Sequence, residues 1–239
     1  MGKELSAEFS GLLESAARLQ EAVPDAVVVG GTAAVFHVGH RTSYDHDHVV
    51  QNLKDRYEAV LEAVERLNGW SIDPNVSSPP MTIMGELDGY QAGLRNLRRA
   101  RPLEVEEVEL GSGKKLRVPT MEETLRVKTF VASQRRAVRD FVDVAAVSAA
   151  LEVQRSAAVV AAIGEYYEPE GDREPIGTAV VRALADPRPK DTRTIRTLSS
   201  YKGLSKEWSD WDRVCEQCRE LAVAVTRSSA DEGGGSDAL

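Results

Sequence analysis

The segment Val27–Val50, VVVGGTAAVFHVGHRTSYDHDHVV, constrains this chain more than any other. A β-branched run, Val27 to Val29, stops at Gly30-Gly31-Thr32, a short helical stretch follows, and two aspartates stand two apart at Asp45 and Asp47. Alternate side chains on a strand point the same way, so a strand over Tyr44–Val50 makes the two carboxylates converge and turns His46 and His48 to the other side. Such a pair suits Mg2+, which takes oxygen ligands octahedrally and commonly uses one or two carboxylates, completing its shell with water and phosphate oxygens. A Gly-Gly turn lets backbone approach a triphosphate closely, and a helix starting at Thr32 aims free N–H groups and its positive dipole end at the anion. Either half alone is common. Together, with a hydrophobic run before them and thirteen residues between Gly31 and Asp45, they make a specific pattern.

This pattern resembles the signature of the DNA polymerase β-like nucleotidyltransferase superfamily, and the string GGTAAVFHVGHRTSYDHDHVV is similar to the AbiEii/MenT group, the toxin half of a class of bacterial toxin–antitoxin systems. That group prefers apolar residues around the aspartates, where this chain has His46 and His48. The resemblance implies an α+β nucleotidyltransferase fold, a small mixed sheet flanked by helices, with a C-terminal helical domain after it. It implies a Mg2+-dependent enzyme that moves a nucleoside monophosphate from a nucleoside triphosphate (NTP) to RNA, first of all a tRNA 3′ end, under the restraint of a cognate antitoxin.

Bulk properties bound the rest. At 239 residues the chain holds one large domain or two small ones, and 42% hydrophobic with 28% charged residues is an ordinary globular balance. No apolar run approaches the roughly 18 to 20 residues needed to cross a membrane. Met1-Gly2-Lys3-Glu4 lacks the apolar core of a signal peptide, so a cytoplasmic protein with two reduced cysteines is expected. A net charge of −8 argues against a general nucleic-acid binder but leaves room for a local basic face.

Helical periodicity runs through Leu5–Val23 and Asn52–Leu67, the latter stopped by Asn68-Gly69. Met81–Leu97 reads as strand, loop and strand broken at Gly85 and Gly89, and Leu103–Leu110 with Leu116–Val118 as a hairpin turning at Gly111-Ser112-Gly113. Polymerase β-like enzymes often carry a third carboxylate on a neighbouring strand; Asp88, Glu104 and Glu106 are candidates that spacing does not separate. Thr120 and Glu123 form a capping box ahead of one continuous helix to Glu152. Its charges read by themselves as a solvated face, with i, i+4 pairs such as Arg136–Asp140 and Arg139–Asp143. The resemblance instead gives Lys128 and the Arg139-Asp140 pair functional places. Lys128 suits a triphosphate as a compact charge on a long stem, and Asp140 anchors Lys128 or Arg139, or poises the attacking hydroxyl.

The expected organisation is therefore a core over residues 1–118, a helical domain over 119–226 contributing Lys128 and Asp140, and a disordered polar tail over 227–239. Helices are expected over Ser156–Tyr167, Gly177–Ala185 and Trp208–Val225, with Trp208 and Trp211 as core anchors and Cys215-x-x-Cys218 as two small helix residues. Catalysis falls to Asp45, Asp47, Lys128 and Asp140, metal to Asp45 and Asp47, and nucleotide contacts to Gly30, Gly31, Thr32, Ser43, Lys128 and Arg139. Two basic intervals, from Arg95 to Arg139 and from Arg188 through Lys190, Arg193, Arg196 and Lys202 to Lys206, are candidate RNA-facing surfaces. Three alternatives stand beside this reading: transfer to a protein hydroxyl, with Ser43 a self-modification position; a catalytically inactive nucleotide-binding module; and a metal hydrolase using His37, His40, His46 and His48. Alternation disfavours the last, because it separates His46 and His48 from the acids.

Overall fold

The computed structural model describes residues 6–99, 101–169, 171, 173–201 and 203–233; Leu5 and Lys202 lie outside them. The chain divides into two compact units, the first made of Met1–Phe36, Thr42–Arg98 and Pro102–Thr120, the second of His37–Arg41, Arg99–Arg101 and Met121–Leu239.

In the first unit, α1 (Ala7–Ala22) starts at Ser6, whose hydroxyl oxygen accepts from the Phe9 N–H at 3.2 Å. After β1 (Val27–Val29) come α2 (Gly30–Val38), β2 (Asp45–Val50) and α3 (Tyr57–Glu65). Strands β3 (Trp70–Ile72), β4 (Thr82–Leu87) and β5 (Tyr90–Asn96) complete a five-stranded sheet of order β1-β2-β5-β4-β3. β2 pairs parallel with β5, and every other pairing is antiparallel, giving a mixed sheet. A separate antiparallel hairpin joins β6 (Val105–Glu109) to β7 (Lys115–Pro119).

Phe9, Leu12, Leu13, Ala16 and Leu19 recur at helical spacing and are buried, so α1 presents one apolar stripe to the core. Leu19, Val50, Tyr57, Val60, Ile83 and Leu94 bring α1, α3 and the sheet together in one cluster. At ~1.5–3 kcal/mol per fully buried large apolar side chain, this packing is the principal stabilising term.

β2 contributes His46 and His48 to the buried face, both fully inaccessible. Ser15 donates its hydroxyl to the Leu87 carbonyl at 3.0 Å, so its oxygen is left to accept from His46 Nε2–H at 3.1 Å. Burial pushes the His46 imidazole from 6.5 down to about 4, and pushes His48 well below its ordinary value. Both rings are neutral when folded and take up protons when unfolded below pH 6.5. Stability is therefore fully present above pH 6.5 and lost as pH falls toward 4. For His46 the expected loss is ~2 kcal/mol between pH 6.5 and 5, and His48 acts in the same direction. Urea titrations at pH 7.5 and 5 should show this drop, and a His46→Leu/His48→Val variant should flatten it.

Gly85 does not break a strand. It lies inside β4, and a Cβ there would meet the Ser71 carbonyl oxygen at 2.4 Å and the Trp70 ring at 2.7 Å. The glycine makes room for β3, an edge strand too short to show a period. The turn falls at Asp88-Gly89, both at positive φ.

The second unit is helical: α4 (Met121–Arg135), α5 (Val138–Leu151), α6 (Val153–Ala161), α7 (Ile176–Ala185), α8 (Thr192–Arg196) and α9 (Trp211–Gly233). The helix expected over 120–152 is two helices. Arg136 takes φ 54°, and α5 restarts with the Val138 N–H donating to Asp191 Oδ1 at 2.9 Å, a partner fifty residues away that no local pattern announces. A second such residue, Glu152 at φ 69°, separates α5 from α6. α9 continues past Arg227 to Gly233, into the segment expected to be a disordered tail, because its polar residues extend an established helix; residues 234–239 lie outside the described residues. Trp208 is buried and Trp211 meets Phe141 edge-on, as core anchors do. Cys215 and Cys218 are free buried thiols on α9, both pushed up by burial.

Candidate active site

β1 ends at Val29, opposite Asp47 on β2, and Gly30 at φ 72° turns the chain directly into α2. The helix thus starts two residues earlier than Thr32, because glycine tolerates the left-handed conformation that the sharp strand-to-helix turn needs. The Cβ that Gly30 lacks would sit 3.9 Å from the Asp47 carboxylate, so this turn borders the acid. Thr32, buried on α2, donates its hydroxyl to the Asp45 carbonyl, and its Oγ1 lies 3.0 Å from Ser43 Oγ. Ser43 is itself buried and donates to Asp45 Oδ1 at 3.3 Å. These two hydroxyls fix the chain entering β2 and orient Asp45, whose side chain is exposed.

The alternation expected of β2 holds: Asp45 and Asp47 share the accessible face and the histidines the buried one. Across the sheet, Asp47 pairs with Gly93, which pairs with Met84. A Cβ on Gly93 would stand 2.5 Å from Asp47 Oδ1 and 2.8 Å from Met84 Sδ. Gly93 is what gives the Asp47 carboxylate its space. Arg95, two residues along β5 on the same face, places Nε 3.3 Å from Asp47 Oδ1. Neither residue is conspicuous in the sequence, since their relevance comes from the parallel β2–β5 register.

None of the three candidates for a further acid is on β5, the strand beside the acids. Asp88 sits in the β4–β5 turn paired with Arg18, while Glu106 is on β6 and Glu104 immediately precedes it. In the row through Asp45 the adjacent strand carries Gln91 and the next one Glu86, so Glu86 shares the face about two strand spacings, ~10 Å, away.

In the second unit, Asp143 on α5 is the hub of a buried network. Its Oδ2 is 2.6 Å from Lys128 Nζ and 3.0 Å from Arg41 Nη2; its Oδ1 is 2.7 Å from both Arg41 Nε and His40 Nε2. The Arg41 guanidinium, the Lys128 ammonium and the His40 hydrogen bond hold the Asp143 carboxyl well below its usual range despite full burial. Asp140, also buried, lies 3.5 Å from Lys128 Nζ and 3.3 Å from Arg135 Nε. Asp140 is thus beside Lys128 and Arg135, while Arg139 is exposed on the helix. The solvated pairs Arg136–Asp140 and Arg139–Asp143 do not form. Both aspartates turn inward, and the break at Arg136 ends the helical spacing that the first pair requires. Asp143, His40 and Arg41 were not singled out for this role; the signal was the Asp140-x-x-Asp143 spacing, which puts both acids on one helix face. His40 is engaged by Asp143, His46 and His48 lie on the face of β2 opposite its acids, and among the described residues no group of three or more His, Cys, Asp or Glu could hold a metal ion.

No family model matches the chain. Among curated proteins it is 32% identical over 144 residues to the mycolic acid-containing lipids exporter MmpL11 of Mycolicibacterium smegmatis, covering 59% of this chain and 14% of that protein. It is 26% identical over 245 residues to the heme uptake protein MmpL11 of Mycobacterium tuberculosis, covering 92% and 23%. The chain spans less than a quarter of the length of these relatives. Among the described residues no single helix is long and apolar enough to cross a membrane. Among solved structures it is similar to MenT4, a nucleotidyltransferase toxin of M. tuberculosis, with a TM-score of 0.56 and 18% identity over 95% of this chain and 88% of that one. A candidate nucleotidyltransferase from H. pylori gives a TM-score of 0.52 at 14% identity, covering 96% and 98%. The fold is that of the polymerase β-like nucleotidyltransferases.

Proposed function

We propose that this chain is a Mg2+-dependent nucleotidyltransferase that moves a nucleoside monophosphate from an NTP to RNA, with a tRNA 3′ end as the first candidate acceptor, and that it is the toxin of a toxin–antitoxin pair. The observation that carries the transferase reading is the pair Asp45 and Asp47, presented on the open face of β2 beside the Gly30 turn. The toxin and antitoxin parts draw support from the likeness to MenT4 and from the motif resemblance.

The two carboxylates fit Mg2+: they are accessible oxygen donors on one strand face, oriented by Ser43 and by Arg95. Asp45 and Asp47 would hold the ion, which would supply Lewis-acid neutralisation of phosphate charge. The chain's own part is positioning. Backbone N–H groups at Gly30, Gly31 and Thr32 open α2 and face an anion, with the N-terminal dipole adding to the attraction. The acceptor hydroxyl attacks the α-phosphorus, the new phosphodiester bond forms, the bond to pyrophosphate breaks, and the hydroxyl proton passes to solvent. The motif resemblance gives Lys128 the place of a compact cation toward the phosphates, and within the second unit Asp140 and Asp143 hold its ammonium.

Transfer onto Ser43 finds less support, because that hydroxyl is buried and engaged with Thr32 and Asp45. Sequencing of RNA 3′ ends after incubation with each NTP and Mg2+ tests the acceptor. Non-templated nucleotides on tRNA ends are expected, whereas label appearing in protein would transfer the proposal to a protein acceptor.

A further inference from the structure

The basic residues fall into two kinds. Most cations of the 95–139 interval are locally neutralised: Arg95 by Asp47, Arg99 and Arg126 by the buried Glu123, Arg101 by Glu165, Lys115 by Glu107 and Lys128 by Asp143. The later interval is different. Lys190, Arg193 and Arg196 are exposed and, among the described residues, have no carboxylate within ion-pair distance; Arg136 and the exposed Arg139 likewise have none. Arg188 pairs with Asp186 at 2.6 Å. Asp191, the acid in their midst, accepts from the Val138 N–H through Oδ1.

These residues come from two segments some fifty positions apart that are joined to each other. The Lys190 N–H donates to the Arg136 carbonyl at 2.8 Å, and Asp191 caps α5, so the α4–α5 elbow and the segment entering α8 are joined by two hydrogen bonds. Arg139 lines one small cavity with Val138 and Val142 of α5, Thr194 of α8, and Leu198 and Leu204, so α8 and the start of α5 border the same space. Arg135, from the same elbow, reaches Asp140 and so connects the face to the Lys128 network.

Resting on the RNA-acceptor reading, we infer that the face formed by Arg136, Arg139, Lys190, Arg193 and Arg196 binds the sugar–phosphate backbone of the acceptor RNA. Its chemistry is that of backbone positioning: spaced, solvated cations with the hydroxyls of Thr192, Thr194 and Thr197 between them. A protein partner would need an apolar or aromatic centre. The large exposed hydrophobics among the described residues, Tyr44, Val76 and Val223, lie in other segments.

The test compares bulk bacterial tRNA binding across a salt titration for the intact chain, a Lys190→Gln/Arg193→Gln/Arg196→Gln variant, and a Lys114→Gln/Lys115→Gln/Arg117→Gln variant of the β6–β7 hairpin. With three phosphate-neutralising cations removed, the slope of log affinity against log salt should become shallower by about 2, and low-salt affinity should fall at least tenfold. The hairpin variant should keep the native slope, and NTP binding and Tm should be unchanged in both. Equal slopes for the first variant and the intact chain, or no tRNA binding by the intact chain, overturn the inference. Equal loss of polyglutamate binding, with polyglutamate bound as tightly as tRNA, overturns it in favour of an acidic protein. Failure of the transfer reading is separable: a flattened slope without nucleotide transfer retains the face and removes the enzyme, and transfer with undisturbed tRNA binding in the first variant does the reverse.

Discussion

Alanine at Gly93 is expected to remove nucleotide transfer from a protein that still folds. Gly93 has no positive φ, so its backbone accepts a side chain, and alanine is itself a better strand residue than glycine. The obstacle is spatial: the new methyl would lie 2.5 Å from Asp47 Oδ1. Met84 Sδ, at 2.8 Å, can move away as the end of a flexible chain, but the Asp47 carboxylate can yield only by leaving its position. A displacement of about 1 Å in a positioning group costs roughly 10²-fold in rate, so kcat/KM should fall by that much or more. Overpacking should cost no more than ~1–3 kcal/mol of stability, less the strand preference. Transfer assays with a thermal melt on the same sample check both halves. Full activity in Gly93→Ala would mean that the observed Asp47 geometry is not the reacting one.

Asp143→Ala should strongly destabilise the second unit. It strips Lys128 and Arg41, both nearly inaccessible, of the carboxylate that holds them at 2.6 and 2.7 Å. Breaking a buried ion pair by removing one partner typically costs ~3–5 kcal/mol, because the remaining charge is left unpaired. Asp140→Ala should cost less, since its ion-pair distances are 3.3 and 3.5 Å and Asp143 still holds Lys128. Urea midpoints of the two variants give the comparison directly. A cost below ~1 kcal/mol for Asp143→Ala would show that solvent, not Asp143, compensates Lys128 and Arg41.

What was legible in the sequence is what depends on local periodicity. The period of two across Asp45-His46-Asp47-His48 predicts which side chains meet solvent, and the structure has that division. The stripe of α1 and the β6–β7 hairpin are likewise local patterns. What stayed hidden depends on partners distant in sequence. Gly93 matters only because β2 and β5 pair parallel across more than forty residues. The break at Arg136 depends on Asp191, and Asp143 looked like half of a solvated pair until His40 and Arg41 closed on it. Gly85 reads as a breaker wherever its neighbour is unknown, yet the overlying Trp70 makes it a strand residue. The third-acid candidates were acids expected on a neighbouring strand with nothing in the spacing to separate them, whereas the register puts Gln91 and Glu86 in the row with Asp45.

The measurement that bears most directly on the central claim is transfer of label from each α-labelled NTP, with Mg2+ and total bacterial RNA, by the intact chain and by Asp45→Ala. Asp45 is exposed on the strand, so its loss should leave the fold intact. The account predicts label in a tRNA-sized band with the intact chain and at least a roughly 10²-fold loss in the variant. Equal labelling by both proteins, or none by an intact chain that measurably binds NTP in the presence of RNA, would contradict it.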